Sequence, residues 1–111
     1  MYTKAFSPTG KSILVSAATT APTGVAAPES GTNQGYQFRI HNAGTVTAFL
    51  AVGVDASSAQ SAAVIPTGTS QFSVSIPAGI VEILSFPIGS FFSAITASGT
   101  ASVYITPGKG L

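Results

Sequence analysis

The side chains that could perform acid–base chemistry are few and far apart in this sequence. It contains one histidine, His41, and three carboxylates, Glu29, Asp55 and Glu82. Proton-transfer catalysis needs such groups positioned together, and a glycosidase needs two carboxylates flanking one bond. The carboxylates fall in two predicted loops and one predicted strand, so nothing in the sequence brings a pair together. Serine is abundant, but the sequence has no nucleophile-elbow motif. We therefore expect that the protein is not an enzyme.

Metal, cofactor and phosphate sites also lack their usual residues. The chain has no cysteine and a single histidine, whereas zinc usually takes three or four His, Cys or carboxylate ligands and calcium needs clustered carboxylates. The segment Gly10-Lys11-Ser12 is similar to the end of a phosphate-binding loop, but Ala5 occupies the position of the required upstream glycine. We expect no metal and no cofactor.

Composition disfavours nucleic-acid and membrane partners. Four Lys and Arg residues and a net charge of +1 are too few to neutralise a phosphate backbone. The longest apolar run, about residues 48–54, is much shorter than the ~20 residues that span a bilayer. The apolar stretch at 12–18 ends at Thr19 and Thr20, which predicts a strand rather than a signal peptide. The absence of cysteine fits a reducing cytoplasm.

The low content of charged residues also suggests a kind of function. Charged residues make up 6% of the chain, against about a quarter in an average soluble domain. The polar surface must therefore consist mostly of Ser, Thr, Asn, Gln and Gly, whose side chains can be buried in a contact without desolvating a charge. Such a surface suits a subunit packed in an assembly. The alternative is a neutral monomer that associates without specificity.

Alternation of apolar and polar residues indicates strands throughout the chain. Tyr36, Phe38 and Ile40 alternate with polar residues, as in a half-buried strand, and Gly- or Pro-containing turns separate such runs at the spacing typical of a sandwich. The predicted strands span about residues 12–17, 24–27, 35–41, 45–54, 70–76, 80–86, 91–96 and 101–106. The runs at 46–54 and 80–86 are almost continuously apolar, which predicts central strands covered on both faces.

These strands predict an all-β fold. We expect residues 1–111 to form a single-domain β-sandwich or jelly roll of about eight antiparallel strands, with an N-terminal arm at about residues 1–10. Residues 56–63 fit either one helical turn or a loop, and residues 31–35 predict a loop.

A 55-residue shift aligns the turns of the two halves of the chain without a gap. It places Pro22-Thr23-Gly24 on Pro77-Ala78-Gly79, Ile40 on Ile95, and Leu50 on Ile105. The shift predicts two four-strand halves that share one plan of turns. The alternative is that β-sandwiches in general place their turns at similar intervals.

Aromatic and apolar residues at turns and termini are the candidates for contact with partners. The turn within residues 85–92 is the most apolar loop of the chain, and turn tips are normally exposed. The predicted interface residues are Tyr2, Phe6, Phe86, Ile88, Phe91, Phe92 and Tyr104. The alternative for the loop is that Phe86 and Phe92 enter the core while Phe91 folds over the sandwich.

Three parts of the chain carry a resemblance to a known class of protein. They are the aromatic arm that leads to Pro8-Thr9-Gly10, the run YQFRIHNAGTVTAFL at 36–50, and FFSAITASGTASVYITPGKG at 91–110. With these segments the chain resembles small virion proteins of tailed bacteriophages, in particular head cement or decoration proteins built as β-sandwiches. The resemblance implies a structural protein, made in the host cytoplasm, that reinforces the capsid from its exterior. Its partners would be the major capsid protein and copies of itself in a homo-oligomer.

Two other functions remain open at this point. The first is a recognition module on a fibre or surface that binds a carbohydrate or receptor and stacks sugars on Tyr36, Tyr104 or Phe91; the absence of tryptophan counts against it. The second is an exported subunit of a pilus or adhesin, which the weak signal segment disfavours.

Overall fold

The computed structural model describes residues 7–8, 11–27, 37–66, 73–86 and 90–109. The elements along this part of the chain are β1 (Ser7–Pro8), β2 (Ile13–Ala17), β3 (Val25–Ala26), β4 (Gln37–Asn42), β5 (Ala48–Gly53), α1 (Ala56–Ala62), β6 (Val74–Ile76), β7 (Val81–Ser85), β8 (Phe91–Thr96) and β9 (Ala101–Lys109). All eight predicted strands are present, some of them shorter or longer than predicted. Residues 56–62 form a helix rather than a loop, and the predicted loop at 31–35 lies outside the described residues.

The strands form two antiparallel sheets with jelly-roll order. Sheet A has the order β1-β9-β4-β7, with β2 also paired to β9, and sheet B has the order β3-β8-β5-β6. The ladders β2–β9, β3–β8, β4–β7 and β5–β6 pair the chain with itself from its ends inward, like one long hairpin. Successive pairs lie in opposite sheets, which is the arrangement of a rolled-up hairpin. The predicted all-β sandwich is confirmed.

The core lies between the two sheets and consists of inward-facing residues of β2, β4, β5, β6, β8 and β9. Its fully buried members are Val15, Ala17, Phe38, Ile40, Ala48, Leu50, Ile76, Phe92, Ala94, Ala101, Val103 and Ile105. The Phe92 ring makes edge-on contacts with Phe38 and Phe86, at centroid distances of 5.2 Å and 5.5 Å. Burial of each large apolar side chain stabilises the fold by about 1.5–3 kcal/mol, so this inward set holds the sheets together.

Helix α1 covers the outer face of sheet B. Gly53 in β5 permits the close approach, because a Cβ atom there would lie 2.7 Å from the carbonyl carbon of Ser58 in the helix. The segment before β3 adds to the cover, since the buried Ser93 hydroxyl of β8 donates to Pro22 O at 2.7 Å. No described helix lies over the outer face of sheet A. Among the described residues, the sandwich is therefore covered by a helix on the side of sheet B and not on the side of sheet A.

Strand β7 is not the central strand that its apolar sequence predicts. It lies at the end of sheet A, and among the described residues it pairs with β4 alone. Its side chains at Val81 and Ile83 are exposed. The prediction for residues 80–86 was wrong because a run of apolar residues indicates a strand without indicating its neighbours in the sheet.

Asn42 joins the two sheets from a fully buried position. Its Nδ2 donates to Val46 O at 2.9 Å and to Ile76 O at 2.8 Å, and its Oδ1 accepts from Gly44 N at 2.9 Å. Asn42 ends β4 in sheet A, whereas Ile76 belongs to β6 in sheet B. One amide thus ties both sheets to the turn between β4 and β5.

The two halves of the chain share a strand order. The order β9-β4-β7 in sheet A is matched by β5-β8-β3 in sheet B. The predicted 55-residue shift is correct for β5 and β9, because Leu50 and Ile105 both point into the core. It is wrong by one residue for β4 and β8. Buried Ile40 corresponds to buried Ala94, not to Ile95 on the opposite face, because a one-residue slip reverses every side chain of a strand.

Two described residues of the predicted N-terminal arm belong to sheet A. Ser7 and Pro8 pair with Lys109 and Gly108 of β9, and the rest of the arm lies outside the described residues. No helix in the described ranges has the length and apolar character needed to cross a membrane.

Candidate interaction surface

Exposed and half-buried side chains of sheet A form rows that cross its strands on the outer face. Leu14, Tyr104, His41 and Val81 are successive partners across β2, β9, β4 and β7. Opposed residues of antiparallel strands place their Cβ atoms about 4.5–5.5 Å apart, so this row is continuous. The rings of His41 and Tyr104 have centroids 6.3 Å apart.

A second row lies beside the first. Thr106, Arg39 and Ile83 are successive partners across β9, β4 and β7. Ser12 lies just before β2, and its hydroxyl is hydrogen-bonded to the hydroxyl of Thr106. The two rows contain four residues each. We call these eight residues of sheet A the outer face.

The outer face combines apolar surface with hydroxyl groups. Leu14 is 45% exposed, Tyr104 40%, Val81 40% and Ile83 49%. Apolar side chains that share one face are more informative than scattered ones, because a contiguous apolar patch marks a site of association. Arg39 adds a charge to the second row. The arrangement is suited to packing against a partner rather than to a reaction.

The predicted interface residues have different outcomes. Tyr104 points outward and is exposed on the outer face, whereas its part in an interface stays a prediction. Phe92 is a correction, because its ring is fully buried in the core and has no surface to offer a partner. Phe86 is half-buried and packs against that core, and Phe91 is half-buried in β8 of sheet B. This follows the alternative in which the two phenylalanines enter the core. Three predicted residues lie outside the described residues: Tyr2, Phe6 and Ile88.

Sequence reasoning missed Leu14, Val81 and Ile83 as surface residues. The sequence carries a signal for Leu14, because Leu14 falls between Ser12 and Ser16 at the alternate positions that share one strand face. Val81 and Ile83 give no such signal, because their neighbours Glu82 and Leu84 do not separate the two faces by polarity. Their exposure follows from the lack of any described helix over this face of sheet A, since Tyr104 of the inner strand β9 is exposed to a similar degree.

The two carboxylates among the described residues are not brought together. Glu82 lies in β7 of sheet A, whereas Asp55 precedes α1 on sheet B, and Glu29 lies outside the described residues. The Asp55 carboxylate accepts a hydrogen bond from Ser58 N at 2.8 Å. This bond caps the helix and lowers the pKa of Asp55 below its ordinary value of 3.8. The described residues contain no group of three or more His, Asp or Glu that could hold a metal ion.

Comparison of the chain with protein-family models, with curated proteins and with solved structures finds no match.

Proposed function

We propose that this protein is a structural subunit of a bacteriophage particle, which binds the exterior of the assembled capsid through the outer face and reinforces the shell. The observation that supports the proposal is the asymmetry of the sandwich. Helix α1 covers sheet B, whereas Leu14, Tyr104, Val81 and Ile83 leave apolar surface exposed on sheet A. Burial of such surface is favourable by about 25 cal/mol per Å².

Composition supports the same function. Charged residues are 6% of the chain, so the cost of desolvating ions at a contact is small. The hydroxyl groups of Ser12 and Thr106, at the border of the apolar surface, can exchange hydrogen bonds with a partner. Jelly rolls recur among viral capsid domains, although a fold by itself does not establish a function.

The mechanism is additive binding. Each copy contacts the major capsid protein over a modest area, and neighbouring copies contact each other. Many weak contacts on one particle raise the effective concentration of every further contact, so the whole layer is held more tightly than one subunit. The subunit is made in the host cytoplasm and acts on the virion exterior, and the mechanism requires no catalytic residue and no cofactor.

Co-sedimentation with undecorated phage heads tests the proposal. We expect the wild-type protein to sediment with the heads, and Leu14→Ser to weaken binding about tenfold, because it removes most of one exposed apolar side chain from each contact. Val54→Ser is the matched control. Val54 is 83% exposed and lies between β5 and α1, on the side of sheet B. Equal weakening by both variants, or no sedimentation of the wild type, would contradict the proposal.

The recognition module has less support. Jelly rolls also form lectin domains, and the Tyr104 ring is available on the outer face. However, Phe91 belongs to sheet B, and Tyr36 lies outside the described residues. Tyr104 and Phe91 therefore do not form one stacking platform. Binding to a glycan array, together with no binding to heads, would favour this alternative.

A further inference from the structure

The free edge of β7 is a second surface with defined chemistry. Strand β7 ends sheet A, and no further described strand pairs with it beyond β4. Four of its five side chains are exposed, and Leu84 is half-buried. A strand edge of this kind presents N–H and C=O groups that can pair with another strand.

Hydrogen bonds within sheet A determine which of these backbone groups are free. Asn42 N donates to Ile80 O at 3.1 Å. Because bonded positions alternate along an antiparallel ladder, the pair Ile40–Glu82 also exchanges hydrogen bonds. The backbone groups of Glu82 and Leu84 therefore face β4.

The remaining backbone groups of β7 face away from sheet A. They are the N–H and C=O groups of Val81, Ile83 and Ser85. We propose that β7 pairs antiparallel with β7 of a second copy, about a two-fold axis at Ile83. In this register Ile83 lies opposite Ile83, and Val81 lies opposite Ser85 of the second copy. About six backbone hydrogen bonds then join the two sheets A into one.

The charge on β7 selects this register over its neighbour. A shift that centres the axis on Glu82 places two carboxylates directly opposite each other, which is destabilising. With the axis at Ile83, Glu82 lies opposite Leu84 of the second copy. The two Ile83 side chains, each 49% exposed in the single chain, then meet on the outer face. The edge is thus complementary to itself.

The size of the contact predicts a weak dimer. Pairing of two five-residue strands buries less than the ~1,000 Å² of a typical stable interface. The dimer should therefore form at high protein concentration or where copies are held side by side. The pairing is a property of the free chain, so its tests use protein without heads, and their outcome is independent of head binding.

Disulfide trapping tests the register. The chain has no cysteine, so Ile83→Cys introduces a single thiol. In the proposed pair its Cα atoms are about 5.5 Å apart, within the range of a disulfide. The matched control is Val81→Cys, on the same strand and face, whose two copies are offset by about 13 Å along the strand. We expect Ile83→Cys to form a disulfide dimer under mild oxidation and Val81→Cys not to. Equal cross-linking of both overturns the register.

Sedimentation equilibrium tests the backbone pairing itself. Ile83→Pro removes an N–H that faces away from β4, so it leaves the β4–β7 hydrogen bonds in place. We expect it to weaken dimerisation about tenfold or more. Ile83→Thr retains the N–H and should change the dimer constant by less than about threefold. A wild-type protein that stays monomeric at all concentrations overturns the proposal, as does equal weakening by Pro and Thr. Thermal unfolding of both variants verifies that each is folded.

Discussion

Single polar residues hold the ends of strands in this nearly uncharged protein. Asn42 ends β4 and bonds the following turn, and Thr96 ends β8, where its buried hydroxyl donates to Gly99 O at 2.7 Å. The two residues occupy matching places in the two halves of the chain. Buried polar groups stabilise a fold only when they have hydrogen-bond partners. In this protein, amide and hydroxyl groups therefore hold the strand ends by hydrogen bonds without ion pairs.

Loss of the Asn42 amide should destabilise the protein substantially. Asn42→Ala leaves the buried carbonyl of Ile76 without its donor, and we expect the free energy of unfolding to fall by about 1–3 kcal/mol. The matched control is Gln60→Ala, because the Gln60 amide also donates to a backbone carbonyl, Ala21 O at 2.9 Å, but in an exposed setting. Gln60→Ala should lower the free energy of unfolding by less than about 0.5 kcal/mol. Urea unfolding of both variants measures the difference. Equal losses would show that the buried amide of Asn42 contributes no more to the free energy of unfolding than an exposed amide does.

The prediction of inward and outward residues was best where polarity alternates strictly. Val103 and Ile105 are buried and Tyr104 between them is exposed, as predicted. Phe92 could not be placed in the same way, because it follows another phenylalanine and polarity gives no face to either ring. Its burial follows from the strand partners that β8 acquires in sheet B. The alternation of residues sets the faces, whereas tertiary pairing decides which face is covered.

The position of α1 determines which side of the sandwich is open. The sequence predicted the strands of both sheets, but for residues 56–63 it left two alternatives, one helical turn or a loop. The structure places this segment as a helix over sheet B, where Gly53 leaves room for it. Because strands of both sheets have similar composition, the open face could not be identified until the helix was placed. The candidate surface is therefore a consequence of one short element.

The helix cap makes the stability of α1 dependent on pH. The hydrogen bond from Ser58 N lowers the pKa of Asp55 from 3.8, so the folded state favours the charged carboxylate. Its stabilising effect is present above pH 3.8 and is lost as the pH falls through the lowered pKa of the folded state. We expect Asp55→Ala to be less stable than the wild type at neutral pH, with a smaller difference at about pH 2. Thermal unfolding at both pH values measures this.

Asp55→Asn separates the hydrogen bond from the charge. The asparagine oxygen still accepts from Ser58 N, so this variant should be more stable than Asp55→Ala at neutral pH. Its own side chain does not titrate, so it should lose less stability than the wild type on acidification. A constant difference between Asp55→Ala and the wild type across the pH range would exclude the titration of Asp55 as its source.

For the molecule as a whole, the described residues of a rolled-up hairpin with few charges present three kinds of surface. One sheet is covered by its own helix, the opposite sheet presents apolar and hydroxyl side chains, and β7 presents backbone groups along its edge. The turns of the sequence and its alternation of apolar and polar residues predicted the sandwich. The sequence could not predict the edge position of β7, because strand order depends on pairings between distant parts of the chain such as β4 and β9. The low charge and the open face together point to association through packing.

Association driven by packing should depend little on salt. The chain has four basic and three acidic side chains, and ionic screening weakens charge–charge contacts but not apolar burial. Under the proposed function, we expect the dissociation constant for phage heads to change less than about threefold between about 0.05 M and 0.5 M sodium chloride. Sulfate at equal ionic strength should tighten binding, because it strengthens apolar association. Arg39→Gln removes the charge from the outer face and should abolish any residual dependence on chloride salt. A tenfold loss of binding that persists in this variant would show that other charges drive the contact.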